Sequence, residues 1–269
     1  MSWVEQVELE GRGRQAIRTW DPAGTEKGRV VLIHGLAEHS GRYERVGGML
    51  AAAGFRVVAP DLYGFGMSEG SRGDVPDWVA YLDQVEYAVG LATTVPSVLM
   101  GHSMGGLICA NYLVDERPLP DMAVLSAPAL GGGAAWQKAL APVLAAIAPG
   151  VKVPNALKGS QLSRDPAVGE AYFADPLVYT KTSARLGAAI FKVQSEVRSR
   201  LDHLETPCLV LHGGLDTIVP PTSTVALGDL APVERRLYPQ LRHEVYNEPE
   251  GPELVTEVID WVNQRLSHD

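Results

Sequence analysis

Short, nearly continuous apolar runs that end in turn residues recur along this chain, and they constrain its fold more than any other feature. Runs that are apolar at almost every position suit parallel strands that are covered on both faces of a sheet. Five such runs are present, at residues 29–35, 55–61, 97–103, 121–128 and 207–214. Stretches with helical character lie between or after them, at about 42–53, 75–94, 104–116 and 252–266. This alternation predicts a doubly wound, mostly parallel α/β sheet, preceded by an antiparallel hairpin around Gly11-Arg12-Gly13.

The alternation stops between residues 129 and 203. This segment opens with three glycines and continues into an apolar, helix-like stretch that Pro142 interrupts, and its second half contains no strand-like run. We expect a mainly helical cap, inserted over the carboxyl edge of a core that is formed by residues 1–128 and 204–269. The alternative is that these helices pack on the flank of the sheet.

The charge balance and the lack of long apolar segments argue against several classes of protein. The formal net charge is −9 and no block of Lys or Arg occurs, which argues against a nucleic-acid partner. Cys109 and Cys208 both lie in apolar segments, so we expect buried free thiols rather than a disulfide. Acidic residues occur near the amino terminus where a signal peptide needs an apolar region, and no run approaches the roughly 18 apolar residues of a membrane span. A cytoplasmic location is therefore expected.

The pattern G-x-S-x-G, which often surrounds a nucleophilic serine, occurs twice. Residues 101–105 read GHSMG and residues 66–70 read GMSEG. Ser103 ends an apolar run and precedes an apolar helix-like stretch, which is the strand–turn–helix context that such a nucleophile requires. Ser68 lies among turn-forming residues with no apolar helix after it. We therefore expect Ser103 to be the nucleophile.

A serine hydroxyl needs a general base to take its proton and an acid to orient that base. In folds of this type the chain order is serine, acid, histidine. Beyond residue 212 the histidines are His243 and His268, and His268 is the penultimate residue, where chains usually fray. His243 is therefore the expected base, and Asp216 the expected acid because it lies in the turn just after an apolar run. The acidic residues that lack such a leading strand are Asp202, Glu205, Asp229 and Glu234. The histidines that are expected to be structural or superficial are His34, His39, His102, His203 and His212.

Two backbone N–H groups are expected to bind the oxyanion that forms when a serine attacks an ester. Met104 is the first residue after the nucleophile, at a helix start, where N–H groups lack intrahelical acceptors. Leu36 follows His34-Gly35 at the end of an earlier apolar run, in the loop that supplies the second donor in such folds.

Together these residues resemble the α/β-hydrolase superfamily, and within it the monoglyceride lipase group. Similar segments occur in the same order from about residue 29 to the end of the chain: HGLAEHSGRY, GHSMGG, LSAPAL, SRDP, DPLVY, HGGLD and RHEVYNEPE. The resemblance implies an eight-stranded, mostly parallel sheet, a helical cap, and hydrolysis of a monoacylglycerol to a fatty acid and glycerol. It implies the triad Ser103, Asp216 and His243, with Leu36 and Met104 as oxyanion donors. This chemistry requires no metal or cofactor.

The resemblance is less complete around the alcohol that would be released. Glu38 and Arg42 match the family positions near the glycerol head group, although the residues alone would equally suit a surface ion pair. Tyr63 stands where the family usually has an arginine. Tyr246 stands where the mammalian enzymes carry a second histidine.

The expected partner is a small lipid ester, with peripheral membrane contact through the cap as a further expectation. Residues 139–151, ALAPVLAAIAPGV, could line an acyl tunnel, touch a lipid surface or pack on the sheet. A lysophospholipase or general carboxylesterase would use the same triad. Peptide hydrolysis or carbon–carbon bond hydrolysis also remains an alternative function, because the triad does not determine the bond that is cleaved. A non-catalytic binding protein would usually lack a member of the triad.

Overall fold

The structure is a computed structural model that describes residues 1–92 and 94–267, so His268 lies outside the described residues. Ten strands are present in these ranges. In chain order they are β1 (Trp3–Leu9), β2 (Gly13–Trp20), β3 (Gly28–Ile33), β4 (Phe55–Pro60), β5 (Ser97–His102), β6 (Met122–Ser126), β7 (Lys152–Pro154), β8 (Lys181–Ser183), β9 (Cys208–Gly213) and β10 (Val233–Tyr238).

Eight of these strands form one sheet with the spatial order β1–β2–β4–β3–β5–β6–β9–β10. Strand β2 is antiparallel to both of its neighbours, and the other pairs are parallel. The amino-terminal hairpin is confirmed, with pairs running from Trp3 opposite Thr19 to Leu9 opposite Gly13. Because β3, β5 and β9 are parallel, the loops that follow them meet at one edge of the sheet.

Helices cover both faces of this sheet. In chain order they are α1 (Glu44–Ala52), α2 (Val79–Gly90), α3 (Met104–Leu113), α4 (Ala135–Ile147), α5 (Gly159–Leu162), α6 (Pro166–Ala174), α7 (Ala184–Ser199) and α8 (Gly251–Leu266). One apolar core joins the sheet to α1 and α8, and a second joins its other face to α2, α3 and α7. The stripe predicted for the last helix packs in the first core: Val255, Val258 and Val262 are buried, and Ile259 and Leu266 are partly buried. The predicted mostly parallel α/β fold is confirmed.

The segment from 129 to 203 contains α4 to α7 and is less uniform than its sequence indicates. Strands β7 and β8 form a small antiparallel ribbon, so the expectation of no strand in its second half was wrong. Each strand has three residues, too few for an apolar pattern to appear. Helix α7 buries Leu186, Val193 and Val197 in the core beside α3, whereas α4 has no buried residue. The segment therefore has one helix packed on the flank of the sheet and another that stands away from it.

Two of the compositional expectations can be compared with the structure. Cys109 and Cys208 are buried and free, as expected. Within the described residues, no helix combines the length and the apolarity that crossing a membrane requires.

Candidate active site

Ser103 lies at the junction of β5 and α3, in a strained backbone conformation. Its φ of 52° and ψ of −116° lie outside the regions that residues with a side chain favour. The two flanking glycines make the turn possible. A Cβ atom at Gly105 would lie 2.2 Å from the Ile33 carbonyl oxygen, and one at Gly101 would lie 2.5 Å from the Gly105 carbonyl oxygen. The turn therefore projects the Ser103 side chain from the sheet edge.

Ser68 occupies a different environment. Its hydroxyl donates to the Asp61 carbonyl oxygen at 2.6 Å and accepts from the Ala16 N–H at 2.9 Å. The side chain is buried, and no helix begins at the turn that contains it. Both contacts are to backbone groups, so this serine links the loop after β4 to β2.

The structure brings Ser103, His243 and Asp216 together from three loops at the carboxyl edge of the sheet. His243 Nε2 lies 2.9 Å from Ser103 Oγ, and His243 Nδ1 lies 2.7 Å from Asp216 Oδ2. These distances suit one hydrogen-bonded chain that runs from carboxylate to imidazole to hydroxyl. The other carboxylate oxygen, Oδ1, accepts from the N–H groups of Ile218 at 2.8 Å and Val219 at 2.9 Å. The arrangement can remove a proton from the hydroxyl.

The surroundings of this chain favour an ionised Asp216 and a neutral His102. Burial favours a higher pKa for Asp216, but hydrogen bonds from His212 and His243 outweigh it and hold the pKa below its usual value. His102, whose ring centroid lies 4.8 Å from that of His243, is also buried. Burial and the neighbouring His243 lower the pKa of His102 to about 4, so it is neutral near pH 7.

The backbone beside Ser103 comes from the loop after β3 and from the first turn of α3. Leu36 and Met104, the expected oxyanion donors, both line the cavity into which Ser103 opens. Gly35 approaches Ser103 closely, because a Cβ atom there would lie 3.3 Å from Ser103 Cβ. His34 holds this loop in place: its Nε2 accepts from the Leu62 N–H at 2.9 Å, so its Nδ1–H faces the Gly35 carbonyl oxygen at 2.8 Å.

Glu38 and Arg42 form a buried ion-pair cluster next to the cavity, which rules out the surface ion pair. Arg42 Nη1 donates to Glu38 Oε2 at 2.5 Å, and its guanidinium makes a two-pronged contact with Glu244 at 2.7 and 2.9 Å. Glu38 Oε1 accepts from Tyr43 Oη at 2.7 Å and from the Gly35 N–H at 2.6 Å. Burial alone would raise the pKa of Glu38, but the charge of Arg42 outweighs it and lowers that pKa to about 2. Glu38 therefore stays ionised and fixes the loop that carries Leu36.

The cavity above Ser103 has a volume of about 550 Å³. Core residues, including His102 and Ser103, line its floor, and helices α4 and α7 line its apolar part. The lining residues of α4 include Trp136, Leu140, Ala141 and Leu144, and those of α7 include Gly187, Ile190 and Phe191. Apolar side chains of α4 are also exposed to solvent, with Trp136 65 % and Ile147 78 % exposed. Helix α4 thus borders the cavity and exposes apolar surface, and it does not pack on the sheet.

The loop that carries His243 is fastened to the segment that precedes α6. Glu248 is fully buried, and its Oε1 accepts from the Arg242 N–H at 2.6 Å. Its Oε2 accepts from the Arg164 N–H at 2.9 Å and from Ser163 Oγ at 3.2 Å. This one carboxylate therefore holds the His243 loop against the SRDP segment.

Three residues at this site were not recognised from the sequence. Glu244 and Glu248 follow His243, but nothing local indicates that one pairs with Arg42 and the other with residues 163 and 164. His212 was expected to be structural or superficial, yet its Nε2 lies 3.2 Å from Asp216 Oδ2. The sequence places His212 at the end of a buried strand, four residues before Asp216, but this spacing alone does not indicate that the two side chains meet.

The two departures from the family pattern lie away from the main cavity. The Tyr63 N–H donates to Gln84 Oε1 at 2.9 Å, and its ring packs against Gly70 in the loop after β4. Tyr246 is buried behind His102, where it borders a small separate cavity. Among the described residues, no group of three or more His, Cys, Asp and Glu side chains is arranged to hold a metal ion.

Residues 24–250 match the family model described as serine aminopeptidase, S33. The chain is 37 % identical to a monoacylglycerol lipase of Mycolicibacterium smegmatis, with 92 % of each chain covered. It is 33 % identical to a phospholipase of Bacillus subtilis, over 88 % of this chain and 95 % of the relative. Among solved structures it is similar to the Paleococcus ferrophilus monoacylglycerol lipase, with a TM-score of 0.86 and 31 % identity over 94 % of this chain and 98 % of that one.

Proposed function

This chain belongs to the serine aminopeptidase S33 family of α/β-hydrolases, and we propose that it is a monoacylglycerol lipase. It is a carboxylic ester hydrolase that acts on a lipid ester. The finer proposal is that the ester joins one acyl chain to glycerol. The observation that carries the assignment as a serine ester hydrolase is the hydrogen-bonded chain from Asp216 through His243 to Ser103. The apolar cavity above Ser103 supports a single acyl chain.

The proposed reaction proceeds through an acyl-enzyme. Ser103 Oγ attacks the ester carbonyl carbon while His243 Nε2, 2.9 Å away, takes the hydroxyl proton. Asp216 stabilises the imidazolium and keeps the hydrogen of the neutral ring on Nδ1. The N–H groups of Leu36 and Met104 bind the oxyanion. His243 then protonates the leaving alcohol, and a water molecule activated by the same base releases the fatty acid.

We propose that residues 129–203 form the cap and supply the site for the acyl chain. The apolar side chains of α4 and α7 line the cavity, and a volume of about 550 Å³ is in the range of pockets that enclose one small ligand. A substrate with one acyl chain fits this description better than a triacylglycerol. The ends of the segment, at residues 129 and 203, are proposed as the domain boundaries.

The polar part of the cavity favours a neutral alcohol over an amine. Glu38 and Glu244 line the cavity, and an aminopeptidase would need a free carboxylate to bind the cationic amino terminus of its substrate. Both carboxylates are instead paired with Arg42. We therefore propose that Glu38 and Arg42 lie at the head-group end, and that the leaving group is uncharged glycerol.

We also propose that α4 contacts a lipid surface. Val143 and Ile147 are 53 % and 78 % exposed and lie four residues apart, on one face of the helix. Exposed apolar side chains next to a cavity for a lipid ester suit contact with the membrane that contains the substrate. A cytoplasmic location stays a prediction from the sequence.

A lysophospholipase or a general carboxylesterase is the second candidate, because the same triad would serve and a phospholipase is among the relatives. The test compares kcat/KM for a 1-monoacylglycerol, the matching di- and triacylglycerols, a lysophospholipid and a p-nitrophenyl ester. We expect kcat/KM for the monoacylglycerol to exceed that for the di- and triacylglycerols and for the lysophospholipid. Equal turnover of the lysophospholipid would favour the second candidate.

The nucleophile is tested with two serine variants. Ser103→Ala should lose at least about a thousandfold in kcat, since removing the nucleophile of such a triad leaves only binding and oxyanion stabilisation. Ser68→Ala is the matched control, because it changes the other G-x-S-x-G serine and should lower stability without lowering kcat. Equal rates for Ser103→Ala and the unaltered protein would refute the proposed function.

A further inference from the structure

Asp216 has a second histidine neighbour that the proposed reaction does not use. His212 lies near the end of β9 and is fully buried. Its Nε2 lies 3.2 Å from Asp216 Oδ2, the same oxygen that faces His243 Nδ1 at 2.7 Å. Two imidazole rings therefore converge on one carboxylate oxygen.

The neighbours of His212 determine which of its nitrogen atoms carries the hydrogen. Nε2 faces two acceptors, Asp216 Oδ2 and the Val219 carbonyl oxygen at 3.0 Å, so the hydrogen is assigned to Nε2. On the other side, Nδ1 lies 3.2 Å from Oγ1 of Thr224, which is also fully buried. That hydroxyl accepts from Arg235 Nε at 3.0 Å, and its one hydrogen is shared between Nδ1 and the Pro221 carbonyl oxygen at 3.0 Å. The ring is thus held on both sides.

These contacts complete the hydrogen bonding of the Asp216 carboxylate. Oδ1 accepts from the N–H groups of Ile218 and Val219, and Oδ2 accepts from His212 and His243. The backbone bonds fix one oxygen by the geometry of the turn. The position of the other oxygen depends on side chains, and His212 is the one that does not take part in proton transfer.

We propose that His212 is a positioning residue for ester hydrolysis, whose Nε2–H holds Asp216 Oδ2 in the direction from which it accepts the His243 hydrogen. This inference rests on the proposed function, because it assigns His212 a role in the same triad. His212 acts through Asp216 and does not touch the substrate.

Removing this donor should change both the geometry and the charge of the pair. Without it the carboxylate can rotate about its side-chain bond, and a small misplacement of a catalytic group can lower kcat by about 10- to 100-fold. The uncompensated charge on Oδ2 would also stabilise the His243 imidazolium more strongly. The acidic limb of the pH profile of kcat/KM should therefore move to higher pH. His102, against the His243 ring, and Arg235, behind Thr224, are other titratable or charged groups next to the pair.

The experiment compares four variants with the unaltered protein on a soluble p-nitrophenyl ester. His212→Phe keeps a ring and His212→Leu keeps an apolar side chain, but both remove the donor. His212→Gln keeps an N–H group near the position of Nε2. His203→Leu is the matched control, since His203 is exposed. Measurements are kcat, KM, the pH profile, thermal unfolding, and the downfield proton resonance of the hydrogen between His243 and Asp216.

We expect the Phe and Leu variants to lose about 10- to 100-fold in kcat with little change in KM, to shift the acidic limb, and to move the downfield resonance. The Gln variant should recover most of kcat. Wild-type kcat and pH profile in a folded Phe or Leu variant would overturn the proposal. An equal loss of kcat in His212→Gln would also overturn it. The same holds if His212→Phe and His212→Leu both fail to fold while His212→Gln folds, because either result assigns His212 a purely structural role. If the unaltered protein itself fails to hydrolyse the ester, the proposed function fails and not this inference alone.

Discussion

Replacing Asp216 with asparagine tests whether Asp216 Oδ2 sets the orientation and the tautomer of His243 in the proposed triad. The N–H groups of Ile218 and Val219 both donate to Oδ1, so the amide oxygen of Asp216→Asn must take that position. The amide nitrogen then takes the position of Oδ2, 2.7 Å from His243 Nδ1. Since that nitrogen can only donate, it selects the imidazole tautomer with its hydrogen on Nε2. That tautomer cannot accept the Ser103 proton.

The expected loss of kcat follows from the tautomer. A separate loss of stability is also expected, because the new amide NH₂ faces His212 Nε2–H as well as His243. In a serine triad, holding the histidine in the wrong tautomer lowers kcat by about 10⁴-fold, which corresponds to about 5.5 kcal/mol of transition-state stabilisation. The assay is kcat for a soluble p-nitrophenyl ester near neutral pH, together with thermal unfolding to show that the variant is folded. Asp229→Asn is the matched control, because Asp229 is exposed and lies outside the cavity lining. A loss smaller than about tenfold in folded Asp216→Asn would refute this account of the site.

Three further results are expected. Glu248→Gln should lower the free energy of unfolding by about 2 kcal/mol and also lower kcat, because one of the buried N–H donors to Glu248 must then face the amide NH₂. Urea unfolding and ester turnover measure the two effects, and unchanged values would contradict the role of Glu248 in the His243 loop. The ionised form of Glu38 contributes stability that is fully present above its ordinary pKa of 4.5 and is lost as pH falls through about 2. The difference in unfolding free energy between the unaltered protein and Glu38→Gln should therefore shrink below pH 4.5, as measured by urea unfolding at a series of acidic pH values. A constant difference would contradict the depressed pKa. The double variant Val143→Ser, Ile147→Ser should bind phospholipid vesicles more weakly in a sedimentation assay, while it hydrolyses a soluble ester at the normal rate. Undiminished vesicle binding would contradict the proposed contact between α4 and a lipid surface.

The parts of the molecule that could be predicted from the sequence are those with strong local signals. The strands of the sheet centre are apolar at nearly every position because both faces are covered, so their pattern was visible without any knowledge of partners. The choice of Ser103 over Ser68 depended on one strand and one helix next to each serine. His243 and Asp216 followed from chain order. The structure brings these three side chains within hydrogen-bonding distance of one another.

The parts that could not be predicted depend on contacts between distant residues. Arg42 and Glu244 are 202 positions apart, and no pattern in either neighbourhood indicates that they pair. The contact of His212 with Asp216 depends on how sharply the chain turns after β9, which the sequence HGGLD does not specify. Strands β7 and β8 are stabilised by each other and are too short to have a pattern of their own.

Helix α4 contains residues that line the cavity but do not contribute to the buried core. All 13 of its residues lie outside the buried core, yet several of them line the cavity. Exposed substitutions away from special features usually change stability by less than about 0.5 kcal/mol. Mutations can therefore accumulate on this helix, in nature or in a randomised library, and give folded proteins with an altered cavity; if the proposed acyl site is right, their acyl-chain preference changes too. The same number of changes in α3, where all ten residues are buried, would mostly yield unfolded chains.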